Sequence, residues 1–253
     1  SPTHMGFSLA NGVTEYPQWL YGGETSSYAR WKTGGAPNAG FGSAAMSTNV
    51  YYGFGVAKYF FAQDESLDVV NNYDPLNFQT RIQHISSLMD ATNPDLSAFN
   101  SRNGKVLIVD CTADWAKSAQ ATFNYYDAVV ARMGQGTVDN FMKLYVSPSA
   151  EHGCGNTITT AGISAAGVTA DGAQTSAGTE KGMPVNVDWV TLMENWVEKN
   201  QVPGQSVVAT RNDPTPPFAA TAAKPLCHYP LFPKYTGADP TSAASYTCVA
   251  TGT

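Results

Sequence analysis

An α/β fold is what this sequence predicts, and three observations carry the prediction. An uncharged apolar run, Val106-Leu107-Ile108-Val109, follows the turn dipeptide Asn103-Gly104 and has the length and β-branched content of a strand. Phe123, Tyr126, Val130 and Met133 then mark one face of a helix that stops near Gly134. Phe141 to Val146 is a second short apolar run, ending at Ser147-Pro148. Strand, helix and strand in that order make a βαβ unit, whose strands run parallel and are expected to be buried on both faces.

The flanking elements follow from the same rules. Residues 1 to about 73 are rich in glycine and aromatics, as in Tyr16-Pro17-Gln18-Trp19-Leu20-Tyr21-Gly22-Gly23 and Tyr51-Tyr52-Gly53-Phe54-Gly55-Val56. Neither a 3.6-residue nor a 2-residue period is sustained there, so a loop-rich region packed on something else is expected. Asp74-Pro75 supplies an N-cap and a proline at the first helical position, and Phe78, Ile82, Ile85 and Met89 recur on one helical face. The stretch Asp90 to Leu96 breaks that helix at Pro94, because the residue before proline avoids helical backbone. After the βαβ unit, Asn156 to Gly182 is Thr/Ala/Gly-rich and almost chargeless, which reads as an irregular excursion. Trp189, Leu192, Trp196 and Val197 form another amphipathic face, packed in the core and ended by Pro203-Gly204. The last fifty residues carry Pro214, Pro216, Pro217, Pro225, Pro230, Pro233 and Pro240 and read as a tail lying across a surface.

Composition narrows the class. The 253 residues are 43% apolar and only 13% charged, about half the ~25% usual for soluble domains. Fourteen basic and twenty acidic side chains give a net charge of -6 with no basic cluster, so neither nucleic acid nor anionic membrane is an expected partner. No apolar run approaches the roughly 20 residues a spanning helix needs, and the first residues do not read as a signal peptide. Cys111, Cys154, Cys227 and Cys248 have no metal-ligand spacing, so no metal site is expected in this chain. An even set of cysteines in a weakly charged chain fits a secreted, disulfide-bonded protein, although the sequence has no Asn-x-Ser/Thr acceptor.

In open α/β sheets, chemistry gathers beyond the carboxyl ends of strands. The first strand runs into Asp110-Cys111-Thr112-Ala113-Asp114-Trp115 and the second into Ser147-Pro148-Ser149-Ala150-Glu151-His152-Gly153. An acid followed by a histidine in the next such loop is the tail of the order Ser…Asp…His. In that chemistry His152 takes the serine proton and returns it to the leaving group, while an aspartate fixes the imidazole tautomer. Asp114 and Asp110 compete for the acid role. Glu151 reads as a solvated loop charge, and His4, His84 and His228 as structural. No Gly-x-Ser-x-Gly occurs, and Ser43, its nearest imitation, lacks a preceding strand. A non-catalytic module that stacks on aromatic or carbohydrate ligands, or a catalytically dead homologue, are the readings from other classes.

At these residues the sequence resembles the tannase and feruloyl esterase family of α/β-hydrolases, which includes terephthalate monoester hydrolases. The likeness rests on Asp90-Ala91-Thr92-Asn93-Pro94-Asp95-Leu96-Ser97-Ala98-Phe99, Gly104-Lys105-Val106-Leu107-Ile108, Ala113-Asp114, Pro148 to His152, Asp188-Trp189 to Trp196-Val197-Glu198, and Lys224-Pro225-Leu226-Cys227-His228-Tyr229-Pro230. It covers about residues 73 to 250. It implies the C-terminal portion of a hydrolase core, residues 94–253 with the proline-rich tail, preceded by the end of a loop-rich lid domain, residues 1–93. The family's acid and histidine carry over to Asp114 and His152. The nucleophilic serine, on a Cys-Ser pair, and a structural calcium ion in the lid would both belong to a preceding portion of the enzyme. This chain thus looks like the second fragment of a processed hydrolase, active when assembled with its N-terminal portion on small aromatic ester substrates. The lid is implied to hold the aromatic acyl group, with Tyr51, Tyr59, Phe60 and Phe61 as candidates for the stacking surface, although core packing of that region is the favoured reading for any one of them. The resemblance pairs Cys227 with Cys248, closing a loop of about 20 residues and contributing roughly 3 kcal/mol on the chain-entropy model. Many members place a cysteine directly after the histidine; here Gly153 intervenes, and Cys111 stands where a glycine is usual. Cys111 and Cys154 are left with two pairings, to each other or to the preceding portion.

Overall fold

The computed structural model describes residues 1–22, 24, 28–33, 46–148, 150–155, 184–213 and 216–250. The chain opens with a short antiparallel ladder, β1 (Thr3–His4) on β2 (Glu15–Tyr16). The aromatic stretch predicted to be loop is helical: α1 (Thr48–Gly55) runs on into wide, π-type turns over Val56–Ala62 and stops at Gln63 in the left-handed conformation. Periodicity missed it because its aromatic residues do not share one buried stripe. Tyr51, Tyr52, Tyr59 and Phe60 are all exposed, and the widened turns carry the second half off a 3.6-residue register.

The Asp74-Pro75 start is as predicted: Asp74 Oδ1 accepts the Leu76 amide at 3.0 Å, a single 3₁₀ turn follows, and α2 (Gln79–Met89) buries Ile82. A short turn, α3 (Ser97–Asn100), leads through Asn103, at positive φ, into Gly104. Gly104 sits against the face of the Phe99 ring, where a Cβ has no room.

The predicted βαβ unit is present. β3 (Val106–Cys111) pairs in parallel with β4 (Met142–Ser147) over six residues, and α4 (Ala119–Met133) with the short α5 (Gln135–Val138) makes the crossover. Ser118 caps α4 by accepting the Gln120 amide, and Gly134 ends it. β3 lies at the sheet edge among the described strands, so Val106 to Val109 are half-buried rather than fully buried as expected of a central strand.

The C-terminal fifty residues are not a surface tail. β5 (Ser206–Asn212) and β6 (Ala220–His228) form a long antiparallel pair that completes a four-stranded sheet in the order β3-β4-β6-β5. Pro225 is tolerated inside β6 because alternate amides there point away from β5: Ala223 donates to Thr241 O, whereas His228 donates to Gln205 O. Pro225 shares the parity of Ala223, so it forfeits no bond to β5. β4 meets β6 through only two residue pairs, Tyr145↔His228 and Val146↔Cys227. β7 (Phe232–Tyr235) and β8 (Tyr246–Val249) pair outside this sheet, tied back by the Cys227–Cys248 disulfide.

Strand alternation splits the core in two. Val106 and Ile108 pack with Phe123, Tyr126, Val129 and Leu144 beneath α4. Leu107 and Val109 pack with Tyr145, Val207 and Leu226 beneath α6 (Trp189–Lys199). Trp189 and Leu192 pack on that face and Trp196 is buried, as predicted, but Val197 is 59% exposed. α6 ends at Asn200 in left-handed geometry, three residues before the predicted stop at Pro203. His228 is buried between Tyr126 and Tyr145, and burial, with Lys143 nearby, lowers its pKa to about 4. No helix among the described residues is long and apolar enough to cross a membrane. The excursion predicted over Asn156 to Gly182 lies outside the described residues.

Candidate active site

The ends of β3 and β4 are held together beyond the last ladder pair. Thr112 donates its amide to Ser147 O at 3.2 Å and Ala113 donates to Ala150 O at 3.0 Å, so the two loops leave the sheet side by side. Ala113 and Ala150 are both buried, small enough to let the backbones approach. A disulfide joins Cys111 to Cys154, the first of the two pairings open to these residues. Gly153 at φ 81° and Cys154 at φ 54° turn the chain back after His152, which brings Sγ to the end of β3. The inserted Gly153 is therefore what lets the cysteine reach the acid loop.

This framework brings the two predicted residues together. His152 Nδ1 lies 2.9 Å from Asp114 Oδ2. The other carboxylate oxygen accepts the Ala116 amide at 2.8 Å, so both oxygens of a side chain only 3% exposed are directed. An ionised carboxylate can only accept, so Nδ1 carries the proton and Nε2 is the ring atom left as a base. His152 keeps 41% of its side chain exposed, as a group that exchanges a proton with a ligand requires.

Asp110 has other partners. Its Oδ1 is held by Lys117 Nζ at 2.6 Å and by the Cys111 amide at 2.7 Å, in a buried position below the loops. Glu151 is half-buried rather than fully solvated. His4 and His84 are exposed on other elements, and His228 lies in the core. Ser147 is buried at the end of β4, Ser118 is occupied by Gln18 O and the α4 cap, and Ser43 lies outside the described residues.

Aromatic side chains that the sequence reading did not single out surround the pair. Trp31 meets the His152 ring edge-to-face at 4.7 Å between centroids. Trp115, next to Asp114, stacks on Trp19 at 6.3 Å, takes the edge of Tyr28 at 4.8 Å and donates Nε1–H to Gly22 O. Lys32 Nζ stands 3.4 Å above the Trp19 ring. Only the general aromatic richness of residues 1–73 hinted at this cluster, since no spacing rule links residues so far apart in sequence. Of the four residues named as a stacking surface, Tyr51 lies near this end of the molecule: Asn49, on the same turn of α1, donates to Trp115 O at 3.3 Å. Tyr59, Phe60 and Phe61 lie about 12–15 Å further along the helix at ~1.5 Å per residue. There Phe60 and Phe61 line a cavity of about 210 Å³ with Leu9, Val56, Ile82 and Met89. Among the described residues no three His, Cys, Asp or Glu side chains gather as a metal site.

The chain is 28% identical over 258 residues to an uncharacterized esterase of Agrobacterium fabrum, covering 97% of this chain and 40% of that protein. It is 32% identical over 175 residues to a probable feruloyl esterase of Arthroderma benhamiae, covering 69% of this chain and 28% of that protein. The crystal structure of feruloyl esterase B from Aspergillus oryzae superposes with a TM-score of 0.67 at 22% identity, over 97% of this chain and 44% of that one. The chain thus spans less than half the length of these relatives. The sequence profile of the tannase and feruloyl esterase family matches residues 3–249, and with the α/β-hydrolase-like architecture described above the chain belongs to that family.

Proposed function

We propose that this chain supplies the acid and the base of a secreted serine carboxylesterase that hydrolyses esters of aromatic acids such as feruloyl, caffeoyl or galloyl groups. The observation that carries the reading is the 2.9 Å hydrogen bond between buried Asp114 and half-exposed His152, at the ends of adjacent parallel strands. Family membership and relatives described as esterases support it. The nucleophilic serine belongs to a preceding portion of the same enzyme. His152 Nε2 removes the serine proton as the hydroxyl attacks the ester carbonyl, then donates it to the departing alcohol, and water repeats the sequence to release the acid. Asp114 holds the tautomer and balances the imidazolium charge in both steps. The aromatic acyl group stacks on aromatic side chains, with Tyr51 the candidate on the end of α1 nearest the acid loop. Two disulfides and sparse surface charge support an extracellular setting.

The test uses the complete enzyme with methyl ferulate, methyl caffeate, methyl gallate and a terephthalate monoester. His152→Ala is expected to lower kcat by about 10³-fold or more while the fold is retained. Wild-type rates in that variant would remove His152 from the chemistry. Preference for the terephthalate ester would move the substrate within the family, and saturable binding without product would favour the binding-module or dead-homologue reading.

A further inference from the structure

We infer that Trp31 is a positioning residue for His152, holding the imidazole in the orientation that presents Nδ1 to Asp114; the inference rests on the reading of these two residues as an acyl-transfer pair. Asp114 constrains the ring at one atom only. The torsion that turns an imidazole about its Cβ–Cγ bond is broad, so a single hydrogen bond leaves the ring able to swing toward water on its exposed side. Trp31 closes one approach: its ring plane stands at 66° to the imidazole with centroids 4.7 Å apart, and the indole is only 7% exposed.

Trp31 can act as a stop because its own segment is fixed to the acid loop. The Trp31 carbonyl accepts the Ser47 hydroxyl at 2.6 Å, and Ser47 O in turn accepts the Tyr51 amide, which couples the segment to the first turn of α1. On either side, Tyr28 meets the Trp115 ring and Lys32 covers Trp19, which stacks on Trp115. Residues 28–33 are therefore docked on the residue that follows Asp114, while Trp31 reaches across to the loop that carries His152. One short segment thus contacts both loops.

The test is made on the complete enzyme with Trp31→Leu and Trp31→Phe, each checked for folding by circular dichroism. Trp31→Leu is expected to lower kcat about tenfold with KM changed less than about twofold, and to broaden the low-field proton resonance of His152 Nδ1–H bonded to Asp114. Trp31→Phe, which keeps an aromatic stop, is expected to restore most of both. Wild-type kcat and an unchanged resonance in Trp31→Leu would overturn the inference, as would a loss expressed only in KM. Should Trp31→Leu fail to fold, nuclear Overhauser contacts between the Trp31 indole and the His152 ring in the wild type decide: their presence supports positioning and their absence overturns it. The resonance and the contacts are read without substrate. Absence of ester turnover in a wild type that shows both would sink the esterase reading and leave the positioning role standing.

Discussion

The loops after β3 and β4 and the aromatic helix at residues 48–62 both present polar and aromatic side chains at the surface, yet they are held by different means. The loops are joined by a disulfide, two backbone hydrogen bonds and buried alanines, and their functional side chains hold one another. The helix is tied by Asn49 to Trp115 O near its start and by Arg81 Nε to Phe60 O near its finish, and Ala57 is the residue it buries fully. Reacting groups need a fixed geometry to a fraction of an ångström, whereas a face that receives an apolar ring needs area and little else.

The sharpest way to break this contrast is at the two buried aspartates. Asp114→Asn is expected to lower kcat by about 10⁴-fold with little loss of stability, because the geometry survives while the tautomer is lost. Asp110→Asn should leave turnover within about tenfold and instead reduce unfolding free energy by about 1–3 kcal/mol, since it weakens the partner of Lys117. Steady-state kinetics and urea unfolding of the two variants check both halves; a catalytic loss at Asp110 matching that at Asp114 would erase the distinction.

Removing the loop staple comes next. Cys111→Ala with Cys154→Ala should cost about 2–4 kcal/mol, with the loss falling on protection of the amides of Thr112 and Ala113 in hydrogen exchange. His228 adds a pH dependence. Its folded pKa is about 4, below the usual 6.5, so the unfolded chain binds the extra proton. Stability is then full above pH 6.5 and falls by up to about 1.4 kcal/mol per unit as pH drops toward 4. His228→Gln should flatten that slope, as urea midpoints at pH 7 and pH 4.5 will show. The smallest effect belongs to the aromatic helix, where Tyr59→Ser should change stability by less than about 0.5 kcal/mol.

The parts legible in the sequence were those governed by local rules. Asp74-Pro75, the apolar run Val106 to Val109 and the glycine stop after Met133 each declare their own element, and the strand ends then declare the two loops that follow. What stayed hidden depended on distant partners. Ala220 to Ala223 has no strand signature until β5 lies beside it, and the prolines around it suggest coil until the amide parity of Pro225 is known. The resemblance favours Asp114 over Asp110, but the Lys117 ammonium that holds Asp110 reaches back by seven residues, which no motif encodes. Trp31 was invisible for the same reason, being distant in sequence from the ring it touches.

The edge position of β3 has a consequence for the molecule in concentrated solution. Among the described strands β3 has one neighbour, so a row of backbone amides and carbonyls faces outward beside Val106, Leu107, Ile108 and Val109. Charges flank this run, but Asp110 is neutralised by Lys117 and the Lys105 ammonium is drawn to Asn140 O, which weakens both as gatekeepers. The exposed aromatics of α1 are less of a hazard because their backbone groups are bonded within the helix. A strand laid along that edge would bond this row of backbone groups, which a charged substitution at Leu107 or Val109 would leave unpaired.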